Sequence, residues 1–468
     1  MLRSTKQTEE LVSNSRANGR HVPPTPPGNF LVGHANQMLR HAAEFLLQAH
    51  QTYGDAVRLR LGPRTAFALF HPEHVYHVLV KRRDNYTKQA RGYKKLRKIL
   101  GNGLVTSEGD FWLRQRRLAQ PAFAPQRLAS FAAAMVTAAE DVTRTWSEPA
   151  RLQQPVNIAA EMMRLTLRIV GETLLGTDVT GEANDIGAAL TLVLDETSRR
   201  IHTPWDFQER MPTPKNRRYD QALERLNQSV HRIISERRQR SAVTEDLLSM
   251  LMAAKDDETG LRMTDQQLRD EVMTFFLAGH ETTAVTLSWT WYLLSKHVEV
   301  RRRVEEEVDR VVAGRSPSID DLPKLTYTRL VIQESMRLCP PVWGIARMAA
   351  EEDQIGELTI PANSPVLLVQ YVTHRHRDFW DNPEGFDPER FLPEQVEKRH
   401  PYAYFPFGAG PRICIGNHFA MMEAVLILAA VASHWRLNLI PGVPVIPQAR
   451  VTLRPKDGLL MTIQRRPD

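Results

Sequence analysis

Between Tyr404 and Ala420 the chain reads YFPFGAGPRICIGNHFA, and no other segment restricts the possible folds as much. Aromatic residues and glycines surround a single cysteine, and an apolar helix is expected directly afterwards, from Phe419 to Ala432. Gly408, Gly410 and Gly416 let the backbone turn tightly and lie close to a flat partner. Cys414 stands just ahead of a helix N-terminus, where free amide N–H groups and the helix dipole favour a thiolate. A buried free cysteine in a loop is the plain reading of such a residue. No second Cys or pair of His accompanies it at zinc spacing, so a metal site there built only from protein ligands is not expected. A macrocycle that brings four in-plane donors of its own needs just one protein thiolate.

Haem is such a macrocycle, and here a resemblance becomes specific. Phe407-Gly408-Ala409-Gly410-Pro411-Arg412-Ile413-Cys414-Ile415-Gly416 resembles, at every fixed position, the haem-binding loop of the cytochrome P-450 superfamily. The resemblance extends over the chain from Pro23 onward. It implies haem b (iron protoporphyrin IX) as cofactor, Cys414 as axial ligand of the iron, and Phe407 beside it. It also implies the family's fold: mainly α with a minor β portion, a single-domain triangular prism. Residues 1–20 read as a disordered segment and 21–468 as one haem-thiolate monooxygenase domain.

Further segments match in order. Glu334-Ser335-Met336-Arg337 resembles the family's helical Glu-x-x-Arg pair, whose side chains share one helix face. Pro388-Glu389-Arg390-Phe391 follows, and the resemblance places Arg390 with Glu334 and Arg337 in a buried network behind the cysteine loop. Trp112 and Arg116 lie four apart in FWLRQRRL. By resemblance they contact the haem propionates together with Arg412 and Arg347. Cations suit two carboxylates at the edge of an apolar pocket.

Val272 to Trp291 predicts a long apolar helix interrupted by Ala278-Gly279-His280-Glu281-Thr282-Thr283. Gly costs roughly 1 kcal/mol of helix propensity and each Thr several tenths. A Thr hydroxyl can bond the carbonyl one turn back, and with Gly this permits local opening of the helix. Glu281-Thr282 matches the family's acid–alcohol pair. The resemblance assigns proton delivery to the oxygen being activated to Thr282, and a relay from solvent to Glu281. Thr283 is expected to pack, and His280 to lie at the surface or on the relay side. Phe275, Leu277, Ala278, Val342, Trp343 and Ile345 are expected to line an apolar substrate pocket. Thr197 to Pro214, with Trp205, Phe207 and Met211, resembles the mobile lid of the access channel.

Elsewhere, HVPPTPPG (21–28) reads as an extended lead-in, and Ala56–Leu61 and Thr65–Phe70 as strands. Ile158–Leu175, with Met162, Leu165, Ile169 and Val170 on one face, and Tyr219–Arg240 read as helices within a helical stretch from Asp110 to about Val312. Val451–Ile463 reads as a hairpin around Asp457-Gly458.

Two cysteines among 468 residues suit a reducing compartment. No signal peptide or transmembrane anchor is expected, which together predict a cytoplasmic protein. The net charge is +7, but it gathers into no tail or aromatic-interleaved patch, so no nucleic acid is expected as partner. Lys88, Arg91, Lys94, Lys95, Arg97 and Lys98 read as a solvated helix face. The chain ends at Asp468, leaving no length for a flavin or iron–sulfur domain. Electrons are therefore expected from a separate, acidic ferredoxin or flavodoxin with its NAD(P)H reductase, docking at Arg114 and Arg117 with Lys94, Lys95 and Lys98. A monomer is expected. The implied reaction inserts one atom of O2 into an apolar organic substrate, a fatty acid, a terpenoid or similar. The rival readings are a peroxygenase or hydroperoxide isomerase, both disfavoured by the intact Glu281-Thr282 pair, and a haem-based gas sensor, which needs no proton relay. A nucleic-acid-binding protein needs no cysteine loop.

Overall fold

The computed structural model describes residues 16–17, 20–176, 183–203, 205–239, 246–256 and 258–466. Helices dominate: α1 (Ala35–Tyr53), α2 (Arg91–Leu100), α3 (Gly109–Ala119), α4 (Pro125–Arg144), α5 (Ile158–Leu174), α6 (Ala183–His202), α7 (Pro214–Gln239), α8 (Asp265–Lys296), α9 (Val298–Val312), α10 (Thr326–Leu338) and α11 (Asn417–Ala432). Of the 21–28 lead-in, residues 22–28 form neither helix nor strand. Two short strands, Arg16–Ala17 and Arg20–His21, pair within the segment expected to lack structure, and the rest of 1–20 lies outside the described residues.

α8 is the central helix. Its first turn is closed by a capping box, in which Thr264 and Gln267 each satisfy the other's backbone N–H. Most of its circumference is buried, as expected of a helix apolar on nearly every side. α5 packs along it through the predicted face, with Met162, Leu165, Ile169 and Val170 fully buried. Gly279 permits the approach, since a Cβ there would stand 3.1 Å from Val170 Cγ2. The helix runs through Gly279 and the threonines without a break, so the expected local opening is absent. The i→i−4 hydroxyl bonds of Thr282, Thr286 and Thr290 add to the helix rather than replace its ladder.

A five-stranded sheet closes one end, in the order Ala56–Leu61, Arg64–Leu69, Pro365–Leu368, Ile345–Ala349, Tyr86–Thr87. Arg64–Leu69 pairs in parallel with Pro365–Leu368 and the other pairs are antiparallel. Alternation along Ile345–Ala349 puts Ile345 and Arg347 on one face of the sheet.

The C-terminal hairpin is a correction. Leu453–Pro455 pairs with Pro447–Ala449, whereas Leu460–Arg465 pairs with Trp435–Leu439 and Val156–Asn157. Gly458 does take the turn conformation (φ +82), but its two arms enter different sheets. The turn chemistry was legible, and the choice of partner was made by distant strands.

Candidate active site

The loop of residues 404–416 and helix α8 enclose a cavity of about 300 Å³. Cys414, Phe407 and Gly408 line it from the loop, and Phe275, Ala278, Gly279 and Thr282 from α8. The loop owes its shape to two left-handed residues, Gly408 (φ +74) and Gly410 (φ +64). At Gly410 a Cβ would meet the Leu79 carbonyl oxygen at 2.2 Å, so backbone packs directly on backbone there. The Cys414 N–H donates to the Phe407 carbonyl at 2.9 Å, and α11 begins three residues later at Asn417. The accessible surface of Cys414 faces the cavity, screened from bulk water. That desolvation pushes its thiol above the usual value, against the pull of the Gly416 N–H and Arg116.

Cations crowd one edge of this cavity. Lys88, Arg116, Arg347 and Arg412 line it beside Trp112 and Tyr93. The Arg412 guanidinium lies 3.7 Å from the centre of the Trp112 ring and donates to the Ser107 carbonyl at 2.9 Å. Arg347 donates to the Tyr93 hydroxyl at 3.0 Å, Arg116 to the Ile413 carbonyl at 3.0 Å and Lys88 to the Val105 carbonyl at 2.7 Å. None of the four forms an ion pair with a carboxylate among the described residues. Burial and then Arg347 lower Arg412 to about 10, and burial followed by Arg347 and Arg412 holds Lys88 well below its usual value. Apolar walls, one thiol and an edge of cations without ion-paired carboxylates suit haem with its two propionates. In the sequence Lys88 reads as part of a solvated helix face and Tyr93 is passed over, since nothing in a basic run marks which of its residues turn inward.

On α8 the side chains separate. Thr282 lines the cavity, its hydroxyl donating to the Ala278 carbonyl at 2.7 Å. Glu281 does not line it. Successive helical residues point about 100° apart. Glu281 is buried instead against Thr452, whose hydroxyl donates to it at 2.7 Å, and burial pushes its carboxyl up. The relay from solvent expected of Glu281 thus has no direct opening into the cavity. His280 is also displaced from its expected place. It is buried, both ring nitrogens lack partners, and desolvation lowers it to about 4.

Of the six expected pocket residues, Phe275, Ala278, Val342 and Ile345 line the cavity. Leu277 is on another face of α8, buried in the core. Trp343 is also in the core, its indole N–H donating to the Arg450 carbonyl at 2.8 Å. Thr283 lines the cavity as well as packing. Near it, Glu423 of α11 is fully buried, and burial pushes it to about 8, with a hydrogen bond from Thr283 opposing. The signal for Glu423 was present in the sequence, as the lone acid in NHFAMMEAVLILAAVA.

Glu334 and Arg337 are fully buried and paired two-pronged, with Nε and Nη2 each 2.7 Å from a carboxylate oxygen. Arg390 approaches Glu334 at 3.5 Å, and the Asp387 N–H donates to it at 2.9 Å. Arg337 also donates to the carbonyls of His374, Pro383 and Gly385. His374 carries the network to the cysteine loop by accepting from the Phe405 N–H at 3.0 Å.

The basic run is only in part a solvated face: Lys94 and Lys98 are exposed, whereas Lys88 and Lys95 are buried. Arg91 and Lys95 of α2 bind Asp206 at 2.6 and 2.7 Å, and Lys98 binds Glu209 at 2.9 Å. These pairs tie α2 to the segment that carries exposed Trp205, Phe207 and Met211. Arg117 pairs with Asp256 and Glu258, so most of the expected docking cations already have acids beside them.

Three comparisons bear on this site. The family model described as Cytochrome P450 matches residues 23–463. Cyclooctatin synthase of Streptomyces melanosporofaciens is 41% identical over 92% of this chain and 92% of its own. Cyclooctat-9-en-7-ol 5-monooxygenase of the same organism is 40% identical (89% and 90%), and pentalenene oxygenase of Streptomyces avermitilis 36% (92% and 94%). Among solved structures, the cytochrome P450DA heme domain superposes with a TM-score of 0.87 at 28% identity, over 95% of this chain and 98% of that one.

Proposed function

This chain belongs to the cytochrome P450 family, and on that premise we propose that it hydroxylates a terpenoid. It is a monooxygenase that inserts one oxygen atom from O2 into an apolar organic substrate, with haem as cofactor and electrons from a redox partner. The terpenoid reading is carried by its likeness over nearly the whole chain to cyclooctatin synthase, cyclooctat-9-en-7-ol 5-monooxygenase and pentalenene oxygenase. The cavity agrees. Leu104, Phe123, Leu174, Phe275, Val342 and Ile345 give it apolar walls, and its cations sit together at one edge, where the propionates need them. A fatty-acid carboxylate would have to compete for those same groups. An uncharged polycyclic substrate is therefore expected to shift the ferric haem from low to high spin, and a long-chain fatty acid is not. A spin shift with the fatty acid alone would reverse the assignment.

Haem b, held by Cys414, supplies oxygen activation when bound. Trp112, Arg116, Arg347, Arg412 and Lys88, which line one edge of the cavity, would hold its propionates, and Phe407 lines the cavity with Cys414. Thr282 is the proton-delivering group. Its hydroxyl, now on the Ala278 carbonyl, keeps lone pairs for a water and can turn into the cavity for about 0.5–1.5 kcal/mol. Thr282→Ala is expected to keep the CO spectrum and substrate affinity. Product formation should fall roughly 10²–10⁴-fold, with NADPH diverted to hydrogen peroxide. Unchanged coupling of NADPH to product removes Thr282 from the mechanism. The electron donor is an acidic ferredoxin or flavodoxin, and the protein acts as a cytoplasmic monomer.

A further inference from the structure

We infer that His50, Asp55 and His376 form a binding site for a divalent transition-metal ion of the zinc class, apart from the haem cavity and independent of the reaction. Their donor atoms lie within 4.8 Å of one another. His376 Nε2 is 3.0 Å and His50 Nδ1 3.6 Å from Asp55 Oδ1. Two imidazole nitrogens and a carboxylate oxygen are a donor set for zinc, leaving a further position for water. Ligand distances of about 2.0–2.2 Å put the donors of a tetrahedral ion roughly 3.3–3.6 Å apart, so the three atoms would draw together around the ion.

The three residues come from separate parts of the chain, and each is held. His50 lies in the last turn of α1, and Gly54 (φ +88) turns the chain so that Asp55 comes back beside it. The Asp55 carbonyl accepts from the Phe70 N–H at 2.9 Å, fixing this turn to the sheet. His376 is buried, with its ring 4.7 Å from that of His50 and 5.0 Å from Phe379. His71 stands 5.6 Å from His376, ring to ring, but its Nδ1 accepts the Glu73 N–H and keeps it out of the ligand set.

Ligation requires both histidines to exchange hydrogen bonds for the ion: His376 Nδ1 now accepts from the Asp378 N–H at 3.3 Å while Nε2 donates to Asp55, and His50 Nδ1 donates to the Gly54 carbonyl at 3.3 Å, so each must move its proton to the other ring nitrogen. Asp55 exchanges its hydrogen bond from His376 for the ion. A cleft of about 620 Å³ lined by Asp55, His71 and His74 gives the ion a route from solvent. Once bound, it would staple α1 to the segment that leads from the five-stranded sheet toward the buried Glu334 network.

The test uses the full-length, haem-loaded protein, stripped with EDTA and titrated with zinc chloride by calorimetry, with zinc per chain counted after gel filtration. One ion per chain is expected. His50→Gln with His376→Gln should weaken binding by more than about 10–100-fold, the loss typical of merely outer-shell changes, while the ferrous–CO spectrum stays unchanged. Absence of binding in the wild type, or equally tight binding in the double variant, overturns the site. Should the variant fail to fold, zinc-edge anomalous diffraction from wild-type crystals decides: a peak between Asp55 and the two rings supports the site, and none there overturns it.

Discussion

Cys414→Ser is expected to abolish the red-shifted ferrous–CO band that reports thiolate ligation. A serine hydroxyl does not ionise as a thiol does, so the axial donor would be lost although the side chains are nearly the same size. The local fold should survive. Gly410 still packs on Leu79, and the N–H of residue 414 still reaches the Phe407 carbonyl, a backbone bond that does not depend on the side chain. A lost band therefore reads ligation, not unfolding. Cys339 cannot substitute. It is buried away from the cavity, and burial pushes its thiol to about 12. If Cys414→Ser kept the band at full intensity, the axial assignment would be wrong.

Glu334→Ala is expected to give little haem-loaded protein. Removing the carboxylate leaves the Arg337 guanidinium fully buried with only backbone carbonyls around it. Breaking a buried pair in this way costs about 3–5 kcal/mol, a large share of a typical domain's net stability. The damage should reach the haem because His374 links Arg337 to Phe405 of the cysteine loop. Glu334→Gln keeps the volume and one acceptor, so it should retain more haem than Glu334→Ala. The measurements are the Soret-to-protein absorbance ratio and the thermal midpoint. A soluble Glu334→Ala protein with full haem and an unchanged midpoint would show the pair to be superficial.

Periodicity and local chemistry made several elements legible in the sequence. Ala56–Leu61 alternates, and it is a strand over those same residues. Ile158 onward carries a 3.6-residue apolar face, and it is a helix with that face buried. The cysteine loop announced itself because positive-φ glycines, an arginine and a thiol must come within a few residues of one another, where spacing is fixed by covalent geometry. Sequence by itself thus determined these elements and the loop, and the family resemblance supplied Glu334, Arg337 and Arg390, whereas His374 and Asp387 joined them only in the structure. Tertiary structure decided which way side chains face and what stands opposite them. It turned Glu281 toward Thr452 while Thr282 faced the cavity, paired Lys95 and Lys98 with acids of the 205–211 segment, and sent the two arms of the Gly458 turn to different sheets. It also gathered His50, Asp55 and His376, which are up to 326 positions apart in the chain. The physical reason is that helix and strand periods act over a few residues. Ion pairs, buried charges and strand partners depend on which distant surfaces pack together, and no local pattern records that.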